Sequence, residues 1–361
     1  MKLGLGLYRT LLTPEHLRFA KQAGVTHIVA HLPGQFTRGR AKIITSDNAQ
    51  AGFGVSEPDD PVWTYEGLRD LKAMINAEGL ELEALENFAP AHWYDVLLDG
   101  PRRQEQMEHL RRVIRDLGRV GVPTMGYCFT IAGVWGRIEG PFARGGAHSV
   151  GFQNPVQTPI PEGMVWNMIY DPDRFDPENP QDTVGSVSAD EIWRRFTGFL
   201  DALIPVAEEA GVRLALHPDD PPLPTLRGSA RLVHHPDHFQ RVLDLNPSLM
   251  NALDFCVGTV SEMPDADVYE ALDRYSRAGR IAYVHLRNVR GKAPHYHEAF
   301  VDDGDTDMLR VLRILHRNGF NGVIIPDHTP LLECDAPWHA GMAYALGWMR
   351  AAITAVERGA A

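Results

Sequence analysis

Short apolar runs recur along the chain, each followed by a loop and then by a stretch of helical period. They are LGLGL (3–7), HIVAHL (27–32), LELEALE (80–86), PTMGYCF (123–129), RLALHP (213–218), NALDFC (251–256), IAYVHLRN (281–288) and GVIIPDH (322–328). Several lack polar/apolar alternation, as strands covered on both faces of a parallel sheet do. The segments between them have recognisable helix ends. Thr13-Pro14-Glu15 sets an N-cap before a first-turn proline, and Gly24 follows the helix. Ser188 and Glu191 form a capping box, after which Ile192, Phe196, Phe199, Leu203 and Ala207 share one stripe and Gly211 stops the helix. Met308, Leu309, Leu312 and Leu315 repeat the scheme before Gly319. Eight strand–helix alternations predict an α/β fold, a (β/α)₈ TIM barrel forming a single domain over residues 1–361. A doubly wound open sheet is the alternative, but no Gly-x-Gly-x-x-Gly follows the first strand.

Two insertions interrupt the pattern, at 34–62 after the second strand and at 130–187 after the fourth. Both are rich in Gly, Pro and Asp, and both fall on the strand-to-helix side, where barrel enzymes build their active sites. Trp63, Phe142, Phe152, Trp166 and Tyr170 in or beside them favour ordered lids over disordered inserts.

The chain's 361 residues carry a formal charge of −12, which argues against nucleic acid or an anionic membrane as partner. Cys128, Cys256 and Cys334 are odd in number and widely spaced, so no disulfide framework is expected and a reducing, cytoplasmic setting is. No apolar run is long enough for a membrane span. The apolar C-terminal segment GMAYALGWMRAAITAV either closes the barrel or pairs with a second copy in a homo-oligomer.

The last residues of strands five to eight are His217, Cys256, His285 and Asp327, each about one strand–helix unit from the next. In a closed barrel these ends are neighbours around one mouth. Two imidazoles, a thiolate and a carboxylate suit a borderline divalent ion such as Mn²⁺, Zn²⁺, Fe²⁺ or Co²⁺. Singly, Cys256 reads equally as a small buried hydrophobe and His285 as a core histidine. Together, at the same end of consecutive strands, they form a candidate metal site.

Candidate acid/base and substrate-binding groups surround them. His328 follows Asp327 and reaches the mouth only if the backbone turns there, because successive strand side chains point to opposite faces. Arg287 and Arg9 are candidates to grip a substrate carboxylate in bidentate fashion. In HYHEAFVDDGDTDM (295–308) Asp305 reads as a helix cap, while Glu298 and Asp303 remain candidate site residues. In LALHPDDPP (214–222) the prolines force the chain out of the sheet after His217. Asp219 and Asp220 there either orient that histidine or are ordinary turn residues.

The segments LALHPDDPP, FCVGT, VHLRNVRG, HEAFVDDGDTDM and IIPDHTP resemble, in order, signature segments of the D-mannonate dehydratases. GVTHIVAHLPG, AEGLELEALE and YCFTIAGVWGR resemble that family's N-terminal half more loosely. The resemblance implies a metal-dependent barrel that dehydrates an aldonic acid to its 2-keto-3-deoxy product. It implies ligands at His217, Cys256, His285 and Asp327, an acid/base role for His328, and Mn²⁺ or Mg²⁺ as the ion. Where the family carries Tyr-Asn-Phe-Met-Pro and then Asp-Trp and Arg, this chain retains Tyr127, Phe129, Trp135 and Arg137. Cys128, Ile131 and Val134 replace the Asn, Pro and Asp. The family's catalytic tyrosine falls opposite Pro337, with Trp338 beside it, and Tyr344 lies inside the following helix. Sugar-acid dehydration is therefore the first reading, with Arg9, Tyr127, Trp135, Arg137, Glu298 and Trp338 toward the substrate. Metal-dependent sugar isomerisation or epimerisation is the second, and a non-catalytic sugar-binding barrel the third.

Overall fold

A computed structural model describes residues 1–34, 54–175 and 182–359. Most of the first expected insertion, residues 35–53, lies outside the described residues. The strand Lys2–Tyr8 pairs in parallel with Val323–Ile325 on one side and His27–His31 on the other. Glu81–Glu86, Thr124–Tyr127, Arg213–Leu216, Asn251–Cys256 and Ile281–His285 complete a closed barrel of eight strands in chain order. The (β/α)₈ expectation is borne out.

Strand alternation divides each strand between two cores. One side of each strand joins the helices in a continuous apolar layer that includes Leu5, Leu7, Ile28, Leu85, Met125 and Phe255. The other side fills the barrel with Val29, Ala84, Ala215, Ala252, Tyr283 and Ile325. Small residues there make room for the one large ring: a Cβ on Gly126 would collide with the Tyr283 hydroxyl. That ring fills the space beneath the barrel mouth.

The helix ends follow the expected chemistry with one exception. Thr13 accepts from the His16 backbone N–H, and Ser188 from that of Glu191 at the start of Ala189–Ala210. The helix Met308–Arg317 is capped by Asp307, which accepts from Arg310, and not by Asp305. Asp305 instead accepts from the Gly291 N–H, because residues 288–299 form a hairpin that brings that donor to it.

This hairpin was not expected. The run 281–288 divides: the barrel strand ends at His285, and a separate strand, Asn288–Lys292, turns back through His295–Ala299. Two strands of the second insertion, Ser149–Gln153 and Arg137–Gly140, extend it to a four-stranded antiparallel sheet. Met168–Ile169 of the same insertion pairs with Gly54–Val55 and Met164–Val165. The helix Pro337–Glu357 packs on Met308–Arg317 and the first strand, burying Met342, Leu346 and Met349. Among the described residues no helix is long and apolar enough to cross a membrane.

Candidate active site

Tyr8, His31, Glu86, Cys128, His217, His285 and Asp327 each leave a different strand and line one cavity of about 600 Å³ at the barrel mouth. Cys256, from the sixth strand, sits beneath it. The ligand-capable atoms of His217, Cys256 and His285 lie within 4.8 Å of one another. Asp327 Oδ2 is 3.6 Å from His285 Nδ1. The structure thus brings the four expected ligands together.

Their electronic states suit a cation. His217 Nδ1 lies 2.6 Å from the Pro218 carbonyl oxygen, which can only accept, so Nδ1 carries a proton and Nε2 is the nitrogen left for the site. Burial alone would push the Cys256 thiol up. The Arg287 guanidinium, with the imidazoles of His217 and His285 beside it, holds it well below the usual thiol range. Burial likewise opposes ionisation of Asp327, but His328, His285 and Arg287 hold its carboxyl well below the ordinary value. His285 Nδ1 is buried and makes no hydrogen bond. A buried nitrogen without a partner, facing a thiolate and a carboxylate, fits a bound metal ion and is costly otherwise.

Beneath His285 lie two acids. Its Nε2 is 3.3 Å from both Glu86 Oε2 and Asp254 Oδ1, and His31 Nε2 is 3.5 Å from the same Glu86 oxygen. Burial raises the Asp254 pKa. Burial also opposes ionisation of Glu86, but His31 and His285 outweigh it and lower the Glu86 pKa. Two acidic side chains therefore flank the ring of His285 from below.

Asp327 takes a left-handed backbone, φ 61°. That turn breaks the strand alternation, so His328 also lines the cavity. His328 Nδ1 lies 2.8 Å from Glu298 Oε1, and its Nε2 lies 3.6 Å from Asp327 Oδ1. Burial works against Glu298 ionising, yet His328 and Arg287 hold it at about 2. Glu298 thus fixes the ring through Nδ1 and leaves Nε2 toward the site.

Arg287 departs from expectation. Its Nη1 meets Glu298 at 2.7 Å, its Nη2 meets Asp220 at 2.8 Å and Thr259 at 2.9 Å, and its Nε lies 3.3 Å from Asp327. It is 2% exposed and absent from the cavity wall, so it has no fork to offer a substrate carboxylate. Arg9 is corrected too: its guanidinium is held in bidentate fashion by Asp60, tying the first strand's exit to the end of the first insertion. The arginines that do line the cavity are Arg137 and Arg231. Arg137 bonds Asp220 at 2.6 Å, and Arg231 lies 2.8 Å from Asp219. Both aspartates therefore anchor the loop through arginines, with no hydrogen bond to the His217 ring.

Tyr127 points outward, its ring 5.2 Å from that of Phe199 on helix Ala189–Ala210, because Gly126 and Cys128 take the inward positions. Trp135 lies under the Arg227 guanidinium at 3.9 Å and does not line the mouth, whereas Trp166 does. Trp338 packs among His16, Phe19 and His339 and lines an adjoining cavity. Asp303 pairs with Arg290 at the surface. The residues not foreseen are Tyr8, His31, Glu86, Cys128, Asp254 and Tyr296, whose hydroxyl donates to Asp220 at 2.9 Å. Parity was the signal for most of them: Asp254 lies two before Cys256, and Glu86 and Cys128 sit where an inward strand end must fall.

The D-mannonate dehydratase (UxuA) family model matches residues 14–355. A mannonate dehydratase from Geobacillus thermodenitrificans is 28% identical over 290 residues, covering 75% of this chain and 76% of its own. The crystal structure of mannonate dehydratase from Streptococcus suis serotype 2 superposes with a TM-score of 0.78 at 24% identity, covering 100% of this chain and 94% of the other. A structure of L-ribulose 3-epimerase aligns at a TM-score of 0.56 and 14% identity over 100% of this chain and 97% of its own, a likeness of fold alone. Because the family match runs from the first helix to the last, the chain belongs to the D-mannonate dehydratase family.

Proposed function

We propose that the protein is a hydro-lyase that removes water from an aldonic acid of the D-mannonate type to leave a 2-keto-3-deoxy acid. The observation that carries this is the convergence of His217, Cys256, His285 and Asp327 beside a histidine, His328, held by Glu298. Family membership and the names of the relatives support it. A divalent ion, with Mn²⁺ first and Mg²⁺, Fe²⁺, Co²⁺ or Zn²⁺ as alternatives, would be held by those four residues and would stabilise the negative charge that builds beside the carboxylate as the C2 proton leaves.

The chain's own residues supply the rest. His328 moves a proton at Nε2, while the Glu298 carboxylate holds its Nδ1–H and so its tautomer and orientation. Glu86 and Asp254 lock the His285 ring from beneath, as second partners of metal-bound histidines do. Arg137 and Arg231 line the cavity as pairs with Asp220 and Asp219, so the attraction for an acidic substrate would come from the divalent ion. Thr130, Gly133 and Trp166 of the second insertion cover one side, and we read them as part of a lid that keeps water from the reacting carbons.

The test incubates Mn²⁺-loaded protein with a panel of aldonic acids and ketoses, and measures both 2-keto-3-deoxy acids and isomerised sugars. Formation of a 2-keto-3-deoxy acid supports the reading. Isomerised ketose with no dehydrated acid would replace it with the isomerase or epimerase alternative. His328→Gln is expected to lower kcat by about 10²–10⁴-fold with bound metal unchanged, since proton transfer by a positioned side chain contributes that much. Equal loss of metal would show that His328 acts on the metal site and not as an acid/base group. Asp254→Asn should weaken Mn²⁺ binding by about 10–100-fold in titration while the fold persists. An unaltered affinity would remove Asp254 from that role.

A further inference from the structure

Dehydration of a sugar acid moves two protons. C2 gives one up to His328, and the hydroxyl on C3 must gain one to depart as water instead of hydroxide. The two carbons are adjacent, so the donor has to stand near His328. Strand parity brings one there. Leu5 and Leu7 of the first strand join the outer apolar layer, so Gly4, Gly6 and Tyr8 face the barrel interior. The two glycines make way for neighbours: a Cβ on Gly4 would collide with Val323, and one on Gly6 would press on Ile325. Tyr8 is thus the first side chain of that strand to enter the mouth, where it lines the cavity with Asp327 and His328. Its strand pairs directly with the eighth, which delivers His328. On the other side Tyr8 is in register with His31, whose ring centroid lies 4.8 Å from its own. His31 is in turn 3.5 Å from Glu86, so the phenol ring is braced from that side.

We propose that Tyr8 is the general acid that protonates the departing C3 hydroxyl, an assignment that rests on the sugar-acid reading of the cavity. As the C2–H bond breaks, its electron pair forms the C2–C3 double bond. The C3–O bond breaks toward oxygen, and the Tyr8 O–H proton joins that oxygen to make water. The enol left behind gains a proton at C3 and loses that of its 2-hydroxyl, giving the 2-keto-3-deoxy acid. Tyr8 then regains a proton from solvent and His328 returns one to it. A phenol, with a usual pKa of about 10, keeps its proton at neutral pH and releases it to an oxygen that is turning into hydroxide. The other groups of the wall suit the task less. Burial pushes the His31 imidazole down, toward the neutral form, which is a far weaker acid. Glu86 is engaged by His31 and His285, and Asp219 and Asp220 are engaged by Arg231 and Arg137. Cys128 follows the fourth strand, which stands opposite the eighth in the barrel.

The test compares D-mannonate with 3-deoxy-3-fluoro-D-mannonate on the Mn²⁺-loaded full chain, following 2-keto-3-deoxy acid from both and fluoride from the second. Fluoride departs as a stable anion without a proton, so the pair separates loss of an acid from loss of structure. Tyr8→Phe keeps the ring beside His31 and removes only the hydroxyl. It is expected to lower kcat for D-mannonate by about 10²–10⁴-fold and to cost the fluoro compound at least about 10-fold less, with KM and bound Mn²⁺ near those of the parent. Equal losses on the two compounds would show that Tyr8 only shapes the pocket, and overturn the proposal. Full activity of Tyr8→Phe toward D-mannonate overturns it as well. If the parent protein forms no 2-keto-3-deoxy acid from either compound, the dehydratase reading falls and this assignment with it.

Discussion

Replacing Cys256 by alanine is expected to strip the barrel of its divalent ion and of its turnover together, while leaving the chain folded. The thiolate is one of three donors whose atoms lie within 4.8 Å of one another, and no other thiol substitutes for it among them. Removing a direct ligand should weaken binding by more than the 10–100-fold typical of an outer partner. The structural cost is smaller. Cys256 Sγ accepts from the Thr259 N–H at the start of helix Val257–Glu262, a cap whose loss costs about 1 kcal/mol. The small gap left by one sulfur adds a comparable amount. Both are modest against a stability of about 5–15 kcal/mol. Elemental analysis and Mn²⁺ titration should therefore show metal loss in a protein whose far-UV spectrum is unchanged. Cys128→Ser is the control, since Cys128 lines the same mouth from the fourth strand; it should retain the ion. Full metal occupancy in Cys256→Ala would sink the ligand assignment.

The barrel was legible because its strands are apolar on both faces and its helices carry caps and one-sided stripes, signals that are local in sequence. Half of the mouth was legible for another reason. His, Cys and Asp are conspicuous where an apolar run ends, so His217, Cys256, His285 and Asp327 stood out. The other half uses the same geometry with less conspicuous residues. Glu86 looks like one more acid of LELEALE, and Tyr127 draws attention from Cys128, which takes the inward position one residue later. Arg287 could not be read at all. Its partners Asp220, Glu262 and Glu298 come from other elements, as far as 67 residues away, and only folding assembles them. The hairpin strand His295–Ala299 was hidden because its alternating inward residues are Tyr296 and Glu298, so burial there follows a polar network and not hydrophobicity.

That network makes Arg287→Met the most damaging single change to stability expected in the chain. One guanidinium stands among Asp220, Glu262, Glu298 and Asp327, and all but Asp327 are nearly inaccessible to water. Burial raises the Glu262 pKa far above the carboxylate range, with nearby Asp220 adding to the effect, so it is held neutral. The remaining three acids need the cation. Removing it leaves buried negative charges facing one another, a loss of about 3–5 kcal/mol when one partner of such a pair is deleted. Arg287→Lys should recover only part of it, because one ammonium cannot reach Glu298 by one nitrogen and Asp220 by another. The pH dependence follows from Glu298. In the intact protein its folded pKa is held at about 2, below the unfolded value of about 4.3, so it contributes stability above that range and loses it in acid. Without Arg287 its folded pKa should rise toward the unfolded value, although His328, the larger cause, still lowers it, so less of this stability remains above the unfolded value. The deficit of Arg287→Met should therefore be larger at pH 7 than at about pH 3 in urea unfolding, because the parent loses the same contribution in acid, and Glu298→Gln in the same chain should recover part of it. Equal urea midpoints for the variant and the parent protein at pH 7 would show that Arg287 does not hold this site together.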